Sequence, residues 1–189
     1  MESVTLCDSA LRSFDSNDVM SRQEDVHWLK ALGHLKTGDT NAARAIQTQF
    51  TQWVADRGSW EARYKSNLHK FDIHLRACVA AHDKKMDTLD AAVAELNDSV
   101  LRVKIKDHSS PFDLAFFNTS FAGLYLDLDQ PEKAAECLNN AFGYNPNYAL
   151  AHYYTWQMHE NQGNDEEAAQ ARTRFVQAWH GADAEVKAQ

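Results

Sequence analysis

Apolar residues recur along almost the whole chain at spacings of three and four, the repeat of one face of an α-helix. A first short helix is predicted from Val4 to Phe14, with Val4, Cys7, Leu11 and Phe14 in line. A second runs from Arg22 to Lys36 and ends at Thr37-Gly38-Asp39, a glycine stop followed by polar residues. The third, Asn41 to Ala55, carries Ala43, Ile46, Phe50 and Trp53 or Val54, and closes at Gly58. Ser59 then reads as the N-cap of a long helix, Trp60 to His82, with Leu68, Phe71, Leu75, Cys78 and His82 on one stripe. Leu89, Val93, Leu96 and Val100 mark a fifth helix over Asp87 to Val100.

The segment Leu101 to Asp107, LRVKIKD, breaks this rhythm with a period of two. A lone strand among helices has no pairing partner, so a frayed helix end or an extended linker is expected there. Ser109-Ser110-Pro111 opens a helix to Leu128. Helices over Pro131 to Tyr144, Tyr148 to Gln162 and Asp165 to Trp179 follow, divided by Asn145-Pro146 and Gly163-Asn164. Antiparallel helix pairs joined by tight turns are the expected architecture, a bundle or a solenoid.

Composition narrows the class. The sequence has 189 residues, 44% of them hydrophobic, with only 7 Gly and 3 Pro, which favours a helical core over turn-rich β structure. The net charge of −8, without a basic stripe, argues against nucleic-acid binding. No apolar run approaches the roughly 20 residues of a membrane span, so membrane insertion is not expected. The N-terminal stretch lacks the charged flank and apolar core of a signal peptide. Cys7, Cys78 and Cys137, an odd set without a CxxC pair, suit reduced thiols and a cytoplasmic location.

The chain also repeats itself. Residues 27–52 laid over 152–177 superpose His27 on His152, His34 on His159, Gly38 on Gly163, Ala43 on Ala168, Thr48 on Thr173, Phe50 on Phe175 and Gln52 on Gln177. The segment between them reads AFFNTSFAGLYLDLDQPEKAAECLNNAFGYNP from Ala115 to Pro146. It resembles a tetratricopeptide repeat (TPR): Phe121-Ala122, Tyr125, Ala134, Leu138, Ala141 and Pro146 fall on the family's motif positions, with Asn118 in place of its opening tryptophan. The other units depart further, with Gln47 at a usually apolar position, Trp156 at a small one, and an altered turn at Asp83-Lys84-Lys85-Met86. The resemblance implies one all-α domain over residues 1–189, a right-handed α-solenoid of antiparallel helix pairs. Its units would be about 22–57, 60–100, 111–146 and 147–180, with residues 1–16 an N-terminal helix or truncated unit.

Several residues invite a chemical reading. The stretch HYYTWQMHE sets His152 and His159 seven residues apart, a rise of about 10.5 Å along a helix, too far to share one metal. Both, like His27 and His34, occupy aromatic positions of the repeat and are expected to hold helices together. His74, Cys78 and His82 are better spaced for zinc or copper, at successive turns of one helix, although Cys78 and His82 also belong to a core stripe. No GxSxG, GxGxxG, GxxxxGK[ST] or HExxH motif occurs, so neither catalysis nor a cofactor is expected.

The resemblance further implies that the first helix of each unit lines a concave groove. Carried over, its groove-facing residues are Trp28, Leu32 and Leu35, then Arg76 and Ala80, then Phe116, Thr119 and Leu126, and finally Tyr153, Gln157 and Glu160. A non-enzymatic scaffold for a protein or peptide partner is the expected function, as the interaction or sensory region of a larger protein, with no oligomeric state specified. The alternatives are a helical metal-binding protein using His74, Cys78 and His82, or a small-molecule sensor pocket between helices.

Overall fold

The computed structural model describes residues 23–56, 62–98 and 111–179. The described elements are α1 (Gln23–Lys36), α2 (Thr40–Asp56), α3 (Ala62–His82), α4 (Met86–Asn97), α5 (Pro111–Asp127), α6 (Pro131–Tyr144), α7 (Ala149–Gln162) and α8 (Asp165–Trp179). All are helices, and no strand occurs among the described residues. The helix predicted over Val4 to Phe14, the LRVKIKD segment and the caps at Ser59 and Ser109-Ser110 lie outside them. Observed ends differ from the predicted ones by a few residues: Tyr148 is the N-cap of α7, and α4 stops at Asn97 where Asp98 turns extended.

The chain divides into two compact units, Met1–Ser109 and Ser110–Gln189. In the first, α1 pairs with α2 and α3 with α4, while α3 also packs on both α1 and α2. The second repeats this: α5 pairs with α6, α7 with α8, and α7 also packs on α5 and α6.

One turn closes all four pairs. Its first bond joins the amide two residues beyond the cap to the carbonyl five residues earlier: Asp39 to His34 at 2.9 Å, Lys85 to Ala80 at 2.8 Å, Gln130 to Tyr125 at 2.9 Å and Asn164 to His159 at 2.9 Å. Its second, inner bond runs from Gly38 to Leu35, Lys84 to Ala81, Asp129 to Leu126 and Gly163 to Glu160. This is the Schellman arrangement, which uses up carbonyls that a helix end leaves bare. It requires one left-handed residue, and φ is +82° at Gly38, +57° at Lys84, +56° at Asp129 and +72° at Gly163. The carbonyl of the next residue then starts the second helix by accepting from Ala43, Leu89, Ala134 or Ala168. The turn at Asp83 to Met86, expected to differ, therefore matches the others; only its glycine is missing.

Aligned on these turns, Ala31, Ala77, Ala122 and Trp156 are equivalent on the first helices, and Ala43, Leu89, Ala134 and Ala168 on the second. Where both residues are alanine, in the α1–α2 and α5–α6 pairs, the helices cross on small side chains that are fully buried or nearly so. Where one residue is large, its counterpart on the other helix of the pair is alanine: Leu89 with Ala77, and Trp156 with Ala168. Around these crossings Phe50, Leu68, Ile73, Leu75 and Leu96 fill the first unit and Leu114, Phe121, Leu138 and Met158 the second.

A Cβ added at Gly38 or Gly163 would meet nothing within 4 Å, so a substitution there feels only the backbone. Gly38→Ala and Gly163→Ala are each expected to cost about 1 kcal/mol, and Lys84→Gly and Asp129→Gly each to stabilise by a similar amount. Urea unfolding midpoints measure both, and an unchanged midpoint for Gly38→Ala would show that the left-handed turn is not what closes the pair.

Candidate functional site

The first helices of successive pairs pack side by side within each unit, α1 on α3 and α5 on α7. In the first unit Trp28 points at α3: its ring lies 5.0 Å from Phe71 and 5.5 Å from His74. Its indole Nε1–H donates to His74 Nδ1 at 3.1 Å, which fixes the His74 proton on Nε2. His74 is buried, and burial pushes its pKa down to about 3, so the ring is neutral. Cys78 Sγ sits 3.7 Å and 3.8 Å from the two ring nitrogens of His74, and burial pushes its thiol up to about 12. A protonated thiol in such a place is neither nucleophile nor metal ligand.

His82 does not join them. It turns outward to Thr40 on α2, whose hydroxyl lies 3.2 Å from Nε2 and 3.3 Å from Nδ1. The His74–Cys78–His82 metal reading thus separates into two sealed, neutral groups and one surface imidazole. Among the described residues no group of three or more metal-ligating side chains converges.

Turn alignment corrects the choice of groove residues on α3. The positions equivalent to Trp28 and Leu32 are His74 and Cys78, not Arg76 and Ala80. Arg76 instead ties three helices together. Its Nε donates to Asp72 at 3.1 Å and its Nη2 to Glu95 on α4 at 2.7 Å. Asp72 also accepts from Thr51 at 2.7 Å and Gln47 at 3.3 Å, both on α2, and His69 lies 2.7 Å from Glu95. This explains Gln47 at a usually apolar position: it reaches a buried carboxylate. Burial acts to raise the Glu95 carboxyl, but hydrogen bonds and charge from Arg76 and His69 hold it below the usual range.

Phe71, His74, Cys78 and Ala81, the α3 residues that turn alignment makes equivalent to the predicted groove positions, are all buried, so α3 offers no open surface there. Leu32 and Leu35 on α1 remain half-buried.

In the second unit the face is more open. Thr119 is 0% exposed and offers no surface, and its hydroxyl has no hydrogen-bond partner among the described residues. Phe116, Leu126, Tyr153 and Gln157 are half-buried and Glu160 is exposed. Gln157 Nε2 donates to the Tyr153 hydroxyl at 2.7 Å, holding both side chains in one orientation. Leu150, equivalent to Phe116 and missed by the sequence reading, is 37% exposed. Behind this face Tyr153 packs on Phe175 at 5.6 Å and Trp156 at 5.9 Å. The stack runs on from Phe175 to Trp179 at 5.8 Å, with the Arg172 guanidinium 5.3 Å from the Trp156 ring.

The repeated histidines sit at joints. His152 is buried against Phe142 of α6, centroids 4.7 Å apart, and its Nε2–H donates to the Pro146 carbonyl at 3.0 Å. Burial lowers its pKa, aided by the charge of Arg174 and opposed by the carbonyl. His34 Nδ1 lies 3.4 Å from Asp39, and His159 Nδ1 lies 3.4 Å from Asn164, each across its own turn. His27 packs edge-on against Trp53 at 5.5 Å.

No protein-family model, no curated protein and no solved structure matches the chain. No described helix is long and apolar enough to cross a membrane.

A histidine held near pKa 3 in the folded state and at 6.5 when unfolded gives the unfolded chain a proton that the fold refuses. The stability it contributes is complete above pH 6.5 and is lost as pH falls, by about 1.4 kcal/mol per unit. His74→Gln, whose side-chain oxygen can still accept from Trp28, is expected to flatten the stability profile between pH 6.5 and 4.5 by close to one proton. Urea unfolding across that range tests this, and an unaltered slope would show that His74 titrates normally.

Proposed function

We propose that the chain is a non-enzymatic, TPR-like scaffold that binds a segment of a partner protein on its first-helix face, chiefly in the second unit. The carrying observation is the pairing of α5 with α7: the two helices lie side by side and share half-exposed Phe116, Leu126 and Tyr153 with exposed Leu150 on one face. Further support comes from the four matching turns, and from first helices that pack on one another while contacts between second helices are marginal at most. Aromatic and branched anchors on rigid helices, held by Tyr153–Gln157, suit an extended or helical peptide. The most perturbed titratable groups, His74 and Cys78, are neutral and sealed, which suits packing rather than chemistry.

Affinity purification with the full chain, followed by direct titration of the captured protein, tests the reading. Leu150→Ala combined with Tyr153→Ala is expected to weaken binding about tenfold or more. Glu136→Ala, exposed on the second helix α6, is expected to leave it unchanged. Equal losses from both changes, or none from either, would remove the face from consideration.

A further inference from the structure

Resting on that reading, we infer that the face formed by α5 and α7 selects a partner segment carrying an apolar anchor beside Lys or Arg side chains. Neither helix contains a single Lys or Arg. Their charged residues on the shared face, Asp127 and Glu160, are both exposed, and neither is paired with a basic side chain among the described residues. Both also lie in the last turn, at the negative end of the helix dipole. A carboxylate there costs helix stability, whereas one in the first turn adds to it. The favourable order is seen in α1, where Glu24 and Asp25 open the helix and Lys36 closes it, and at the start of α8, which three acids open. The only basic group in the last turns of α5 and α7 is His159, which faces Asn164.

α5 and α7 run parallel, each being followed by an antiparallel partner, so their negative ends share one end of the face. Tyr154 of α7 lies directly over Gly123 of α5, and burial together with the Asp127 charge pushes its hydroxyl pKa up, which places Asp127 beside α7. Phe116, Leu150 and Tyr153 lie toward the other end. The face is thus apolar at one end and uncompensated negative at the other. A cation delivered by the partner meets two carboxylates and two helix dipoles at once.

Selection of a random-peptide display library on the full chain, with titration of the selected peptides, tests this. The expected result is enrichment of Lys or Arg beside apolar residues, lost affinity on Leu150→Ala, and about tenfold weaker binding to Asp127→Asn/Glu160→Gln at low salt, shrinking as salt rises. Peptides that depend on Leu150 but show no basic enrichment and bind the double variant equally well would overturn the inference and leave the groove reading standing. Peptides indifferent to Leu150 would overturn both. Circular dichroism of each variant confirms that the fold is kept.

Discussion

A single hydrogen-bonded turn, repeated at residues 38, 84, 129 and 163, sets the geometry from which everything else in this chain follows. A helix end exposes carbonyls that need partners, and the next helix begins with amides that need them too. The Schellman bonds satisfy the first need, and the residue that completes them supplies the carbonyl that starts the next helix. With no freedom left in the connection, each pair meets at the same crossing. The residues at that crossing must then be small on at least one side, as Ala31, Ala77, Ala122 and Ala168 are.

Much of this was legible in the sequence. Apolar spacing located every described helix to within a few residues, and Gly38 and Gly163 marked two of the turns outright. The ends of the flanking helices placed the other two, but nothing marked Lys84 and Asp129 as left-handed, because neither is glycine. Without that marker at the α3–α4 turn, Arg76 and Ala80 are predicted where turn alignment puts His74 and Cys78. Thr119 misled for another reason: repeat position predicts direction along a helix, but burial depends on what lies across from it.

The two units use their shared architecture differently. In the first, α3 is surrounded: Trp28 closes over His74, and Arg76 with Asp72 and Glu95 binds α2, α3 and α4 through charges that would be costly if any one were removed. In the second, the interior is mainly aromatic and aliphatic, with Asn118, Thr119 and His152 its buried polar residues, and the Tyr153–Gln157 link lies nearer the surface. One unit therefore derives much of its order from a polar lattice, the other from stacked rings.

Gly123 gives the second unit a property of its own. A Cβ there would lie 2.9 Å from the Cζ and hydroxyl oxygen of Tyr154, so the end of that side chain rests on bare backbone at a point of close approach between α5 and α7. The packing beneath the proposed face therefore depends on a position that a bound segment need never touch. Adding one methyl group there would displace the end of the Tyr154 side chain without altering any proposed anchor or charge. On the proposed reading, breadth and chemistry of recognition become separate variables, and a lineage could change which shapes the face accepts while keeping which charges it prefers.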